Sequence, residues 1–168
     1  LSSASKCWGM ELELLGCDAT TLLCNRALAA LQAGLPLEAA RDAGAAVLIS
    51  NLTNPKAVYR LAIALDELGL AQARVLAEKG ASLWPTIKNL ADLRVRTQKH
   101  FTVDDGPSQL WWEDPRFDDI ITLRQAGDKA KKEDWKSFKA NGNEAFRSGD
   151  MTGAIKLYSN ALDSLVGA

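Results

Sequence analysis

Three glycines with matching surroundings constrain this chain more than any other feature. Gly34, Gly69 and Gly149 each have a small residue seven positions earlier (Ala27, Ala62, Gly142) and an apolar one eleven earlier (Leu23, Val58, Phe138). Alanine stands twelve after each, at Ala46, Ala81 and Ala161. Five after come Ala39, Arg74 and Ala154, so one of the three departs. Gly34 and Gly69 lie 35 residues apart. A period of that size marks stacked supersecondary units, each too small to bury its own apolar face. The expectation is an all-α fold of helical hairpins, each turning at a glycine whose left-handed conformation closes the first helix.

Periodicity and breakers place three such pairs. The first runs over Thr20–Ala33 and Leu37–Ser50, with Pro36 tolerated at a helix start. The second covers Pro55–Leu68 and Ala71–Leu83, and the third Glu133–Ser148 and Met151–Val166. After Trp84-Pro85, the segment Thr86–Lys99 carries Ile87, Leu90 and Leu93 on one side and mostly charge elsewhere. One apolar stripe and one wet face suit a capping helix at the open end of the second pair. Ala4–Leu15 reads as a further helix resembling Ala154–Leu165, and Phe101–Ala130 as a connector with one helix near Phe117–Gln125. Trp111 and Trp112 in the connector are expected to pack it onto its own domain more readily than to grip a partner. Organisation therefore falls into 1–100 (two pairs, the preceding helix and the cap), 101–130 (connector) and 131–168 (one pair).

Composition removes several function classes. The 168 residues have a net charge of -1, which argues against a phosphate-tracking nucleic-acid binder. No apolar run approaches the ~20 residues of a membrane span. Leu1–Cys7 lacks the charged n-region and long apolar core of a secretory leader. The three cysteines, Cys7, Cys17 and Cys24, form no Cys-x-x-Cys pair and read as reduced, half-buried thiols of a cytoplasmic protein. His100, the sole histidine, has no neighbouring metal ligand, so neither a metal nor a cofactor is expected. Asp104-Asp105 and Glu113-Asp114 look like solvated turn carboxylates, and with no Gly-rich phosphate loop the chain is not expected to be an enzyme.

Five polar residues recur on the first helices of the three pairs: Lys139-Ala-Asn-Gly-Asn143, Asn25-Arg26 and Lys56-Ala-Val-Tyr-Arg60. Asn143 lies six residues before its glycine, and Asn25 and Arg60 nine before theirs. In this the chain resembles the tetratricopeptide-repeat co-chaperones with a dicarboxylate clamp, the Hop-like adaptors. Those carry Lys-x-x-x-Asn, Asn-Arg and Lys-x-x-x-Arg in their first, second and third repeats. The resemblance covers about 130 residues and spares the connector. It implies hairpins wound into a right-handed superhelix whose first helices line a concave groove. It also implies a partner: the Glu-Glu-Val-Asp-type C-terminal tail of the ninety- or seventy-kilodalton heat-shock chaperones.

The chemistry suits the spacing. Residues four apart share a helical face, which pairs Lys139 with Asn143 and Lys56 with Arg60. A tail ending in aspartate presents two carboxylates; lysine and arginine offer charge-assisted donors and asparagine a neutral one. Each such bond contributes roughly 1.5–3 kcal/mol, so four or five support micromolar binding at about 8 kcal/mol. Phe146 and Leu28, one turn further along, are placed to hold an apolar side chain of the peptide.

Chain order departs from the family. The Lys-x-x-x-Asn unit comes last here, whereas a complete groove needs it beside the Thr20–Ser50 unit. Three arrangements satisfy the residues: a rearranged single domain in which the last unit folds back, a domain-swapped homodimer, or a slice through two consecutive clamp domains. Seven helices at 8–10 Å spacing extend roughly 60–70 Å, and a thirty-residue connector with one helix reaches about 80 Å. A return within one molecule is therefore feasible. The competing function is a structural repeat scaffold whose groove is idle.

Overall fold

The computed structural model describes residues 16–102 and 134–166. The expected helices at Ala4–Leu15 and Phe117–Gln125, the Trp111–Trp112 pair, Cys7 and the two connector carboxylate pairs lie outside the described residues. Within them the chain is all-helical: α1 Gly16–Gln32, α2 Pro36–Ile49, α3 Pro55–Glu67, α4 Gln72–Leu83, α5 Lys88–His100, α6 Asp134–Ser148 and α7 Met151–Val166. α1 begins four residues ahead of the expected Thr20, and α5 is displaced slightly toward His100.

The hairpin turns share one construction. Gly34, Gly69 and Gly149 have φ of 72°, 70° and 86°. At each, the glycine N–H donates to the carbonyl three residues back and the next residue's N–H to the carbonyl five back (Leu35 to Ala30, Leu70 to Leu65, Asp150 to Ala145). This is the Schellman closure, which satisfies the last carbonyls of the first helix while reversing the chain. Start signals are equally local. Asn54 Oδ1 accepts from the N–H groups of Lys56 and Ala57 to cap α3 ahead of Pro55, and Asp150 Oδ1 accepts from the Gly153 N–H at α7.

Packing runs α6–α7–α1–α2–α3–α4–α5, each helix against the next, with added contacts between α1 and α3 and between α3 and α5. The hairpin written last thus stands beside the one written first, within one molecule. Small side chains make the contacts: Ala27, Ala39, Ala43, Ala46, Ala57 and Ala62 are fully buried, and Leu22, Leu61, Leu65 and Leu90 fill the larger spaces. Gly142 allows the closest approach in the last hairpin. A Cβ there would lie 2.7 Å from the Tyr158 ring, so α6 can reach α7 only without one.

Two buried carboxylates hold the layers in register. Arg26 grips Asp42 of α2 with two bonds of 2.7 Å and donates a third, 2.9 Å, to Ser159 of α7. Burial works against the Arg26 cation, but the charge and hydrogen bonds of Asp42, with the charge of Asp163, together outweigh it and raise the pKa. Asp66 of α3 accepts from Arg96 and meets His100 Nδ1 at 2.8 Å, fastening the α5 cap.

Candidate functional site

The five expected residues come from three helices; Asn25, Lys56, Arg60 and Asn143 line two adjoining cavities, and Lys139 lines neither. α6 supplies Lys139 and Asn143, α1 supplies Asn25, and α3 supplies Lys56 and Arg60. The closest meeting crosses between hairpins: Asn25 Nδ2 donates to Asn143 Oδ1 at 3.4 Å, although 118 positions separate them. Arg60 Nη1 reaches across to donate to the Cys24 carbonyl at 2.5 Å, tying α3 to α1 beside Asn25. Lys56 stands exposed in the first turn of α3, where the helix dipole adds positive potential to its own charge.

Two open cavities adjoin at Asn25. The larger, about 650 Å³, is lined chiefly by Thr20, Cys24, Asn25, Asn54, Lys56 and Arg60. The smaller, about 190 Å³, is lined by Asn25, Leu28, Asn143, Phe146, Arg147 and Tyr158. Among the described residues neither lining holds an aspartate or glutamate, although the chain carries 21 acids against 20 bases. Leu28 and Phe146 do share a cavity, beside both amides. Lys139 belongs to neither lining; its Nζ rests 5.7 Å from the centroid of the Trp135 ring, which Lys136 approaches equally. At that distance the quadrupole of the ring attracts the ammonium.

Electrostatics favour an anion here. Burial lowers the Arg60 pKa, against an opposing pull from Cys24. A guanidinium already stripped of part of its water loses little more on pairing with a carboxylate. Burial also pushes the Cys24 thiol up, more than Arg60 and Lys56 pull it down, so it is a neutral wall. Tyr158 is likewise raised by burial, with Arg147 and Arg60 opposing, and remains a protonated donor at neutral pH.

Sequence reasoning passed over Trp135, Tyr158 and Arg147 and expected Cys24 to be half-buried, whereas α1 packs it fully into the core. For Tyr158 there was a signal: Gly142 occupies a position where the other hairpins have Ala27 and Ala62, and a helical glycine implies a bulky neighbour. Arg26, next to Asn25 in the motif, faces Asp42 and Ser159 and plays a structural part. Among the described residues no cluster of three His, Cys, Asp or Glu could hold a metal ion, and no helix is long and apolar enough to cross a membrane. Compared with protein-family models, with curated proteins and with solved structures, the chain matches none.

Proposed function

We propose that this chain is a peptide-binding adaptor module of the tetratricopeptide clamp type, a non-enzymatic cytoplasmic co-chaperone element. It docks the acidic C-terminal tail of a heat-shock chaperone of the ninety- or seventy-kilodalton class. One observation carries the reading: amides from two distant hairpins, Asn25 and Asn143, converge where two cavities meet whose described lining holds no acid, with Lys56 and Arg60 around them. Two carboxylates of a terminal aspartate match that donor set, and Leu28 with Phe146 suits the apolar residue before it. Lys139 joins the clamp by swinging from Trp135 to the ligand, a movement of one flexible side chain that gives up a contact of roughly 0.5–1 kcal/mol.

Calorimetric titration with a pentapeptide ending Glu-Glu-Val-Asp tests this. Lys56→Ala and Lys139→Ala should each weaken binding at least ~10-fold, a single charge-assisted bond being worth roughly 1.5–3 kcal/mol, with helicity unchanged. Raising salt should weaken the native titration as well, since both cavities open to water. Identical curves for both variants and the native chain would refute the clamp and leave a structural scaffold with an idle groove.

A further inference from the structure

The Asn143 amide is held at one end. Tyr158 donates its hydroxyl to Asn143 Oδ1 at 2.8 Å, and Asn25 Nδ2 donates to the same oxygen. Tyr158 is 2% exposed, its ring seated against Gly142, so the hydroxyl has little freedom to point elsewhere. With the oxygen taken by two donors, the Asn143 NH2 group is the end left to bond a ligand in the smaller cavity, which Asn143 and Tyr158 both line. Tyrosine O–H, amide oxygen and amide N–H form a chain in which each bond polarises the next in one direction.

We infer that Tyr158 is a positioning residue for the site: it orients Asn143 as a donor, so the groove selects a deprotonated carboxylate over a terminal carboxamide of the same size. This rests on the clamp reading and adds a source of selectivity besides positive charge. A free asparagine amide can turn its oxygen or its nitrogen toward a ligand and so accepts either group. An amide anchored at its oxygen offers only donors. A carboxylate accepts at both oxygens, whereas a carboxamide accepts at one and turns its NH2 against whichever donor meets the other end. Arg147, in the same lining, is paired with Glu144 at 3.0 Å, so its charge is shared; the Tyr158 relay contributes direction.

The experiment compares two pentapeptides, one ending in free Asp and one in the corresponding diamide, against the native chain, Tyr158→Phe and Asn143→Asp. Tyr158→Phe keeps the ring on Gly142, and thermal melts check that it folds. The native chain should prefer the free acid. Tyr158→Phe should lose ~3–10-fold affinity for the acid, the loss of one neutral hydrogen bond's worth of orientation, and little for the diamide, so the ratio between peptides narrows. Asn143→Asp, now accepting from Tyr158, should turn the preference toward the diamide. In side-chain amide NMR spectra of the unliganded proteins, the Asn143 NH2 pair should move on Tyr158→Phe. An unchanged acid-to-diamide ratio in Tyr158→Phe, with the native chain still binding the acid, overturns the relay alone. Failure of the native chain to bind the acid peptide overturns the clamp and the relay together.

Discussion

The block α1–α5 and the hairpin α6–α7 contribute to the same groove but are built to different densities. In α2 nine of fourteen residues are buried, sealed between α1 and α3. In α6 only Trp135 and Gly142 are buried among the described side chains. Asn25 and Arg60 therefore stand on a tightly packed wall, whereas Lys139 and Asn143 stand on an edge helix placed by its partner α7. Side-chain bonds joining the two regions, Asn25–Asn143 and Arg26–Ser159, both start from adjacent residues of α1. The two cavities are therefore as well defined as that joint, which couples the proposed recognition to the docking of one hairpin.

Breaking the joint should have the largest effect. Arg26→Met leaves the Asp42 carboxylate buried without its cation and removes the bond to Ser159. Such losses cost about 3–5 kcal/mol, and the double variant with Asp42→Leu should recover most of it. Urea denaturation followed by circular dichroism measures both. If Arg26→Met unfolds at the native midpoint, neither the Asp42 pair within the block nor the Ser159 bond to the hairpin supports the fold.

A smaller change sharpens the comparison from the other side. Gly142→Ala improves helix propensity by about 1 kcal/mol, but its Cβ falls 2.7 Å from a buried tyrosine ring. Overpacking of that kind costs about 1–3 kcal/mol, so a net loss is expected. Tyr158 should shift with it, and acid-peptide affinity should fall more than stability alone accounts for. A variant as stable and as tight as the native chain would show that α6 can move away without disturbing the groove.

The smallest effect separates the regions by pH. Burial holds the Asp163 carboxyl of α7 above its ordinary pKa, with Arg26 pulling the other way. The folded state binds that proton more strongly than the unfolded chain. This contribution is present below the ordinary carboxylate value, about pH 4, and lost as pH rises through the raised one. Glu78 of α4 has the opposite sign. Hydrogen bonds from Arg74 and Gln98 lower its pKa, so its contribution exists above the ordinary value and is lost as pH falls through the depressed one. Asp163→Asn should raise the melting temperature slightly at pH 7 and not at pH 3, while Glu78→Gln should lower it slightly at pH 7 only. The Glu78 effect is the weaker, because that carboxylate is screened by water.

Legibility followed the range of the forces. Turns were readable at Gly34, Gly69 and Gly149 because φ near +70° penalises a Cβ, a matter of one residue and its neighbours. The pairing of Lys56 with Arg60 was readable because 3.6 residues make a turn. Arg26 shows how far one position goes: a step from Asn25 on a helix is about 100° of rotation, enough to take it to Asp42. Trp135 under Lys139 was within reach at i−4 and went unused, since an aromatic at that spacing is ordinary core.

Amino-acid order alone determined that the chain makes glycine-hinged helical hairpins and which polar residues each carries, because propensity, capping and period act over a few residues. Only the tertiary structure decided that α7 lies on α1, that Asn143 meets Asn25, and that Tyr158 donates to the first of these amides. Those outcomes come from burying apolar faces across a separation of more than a hundred positions, where local pattern leaves several partners equally acceptable and packing selects one.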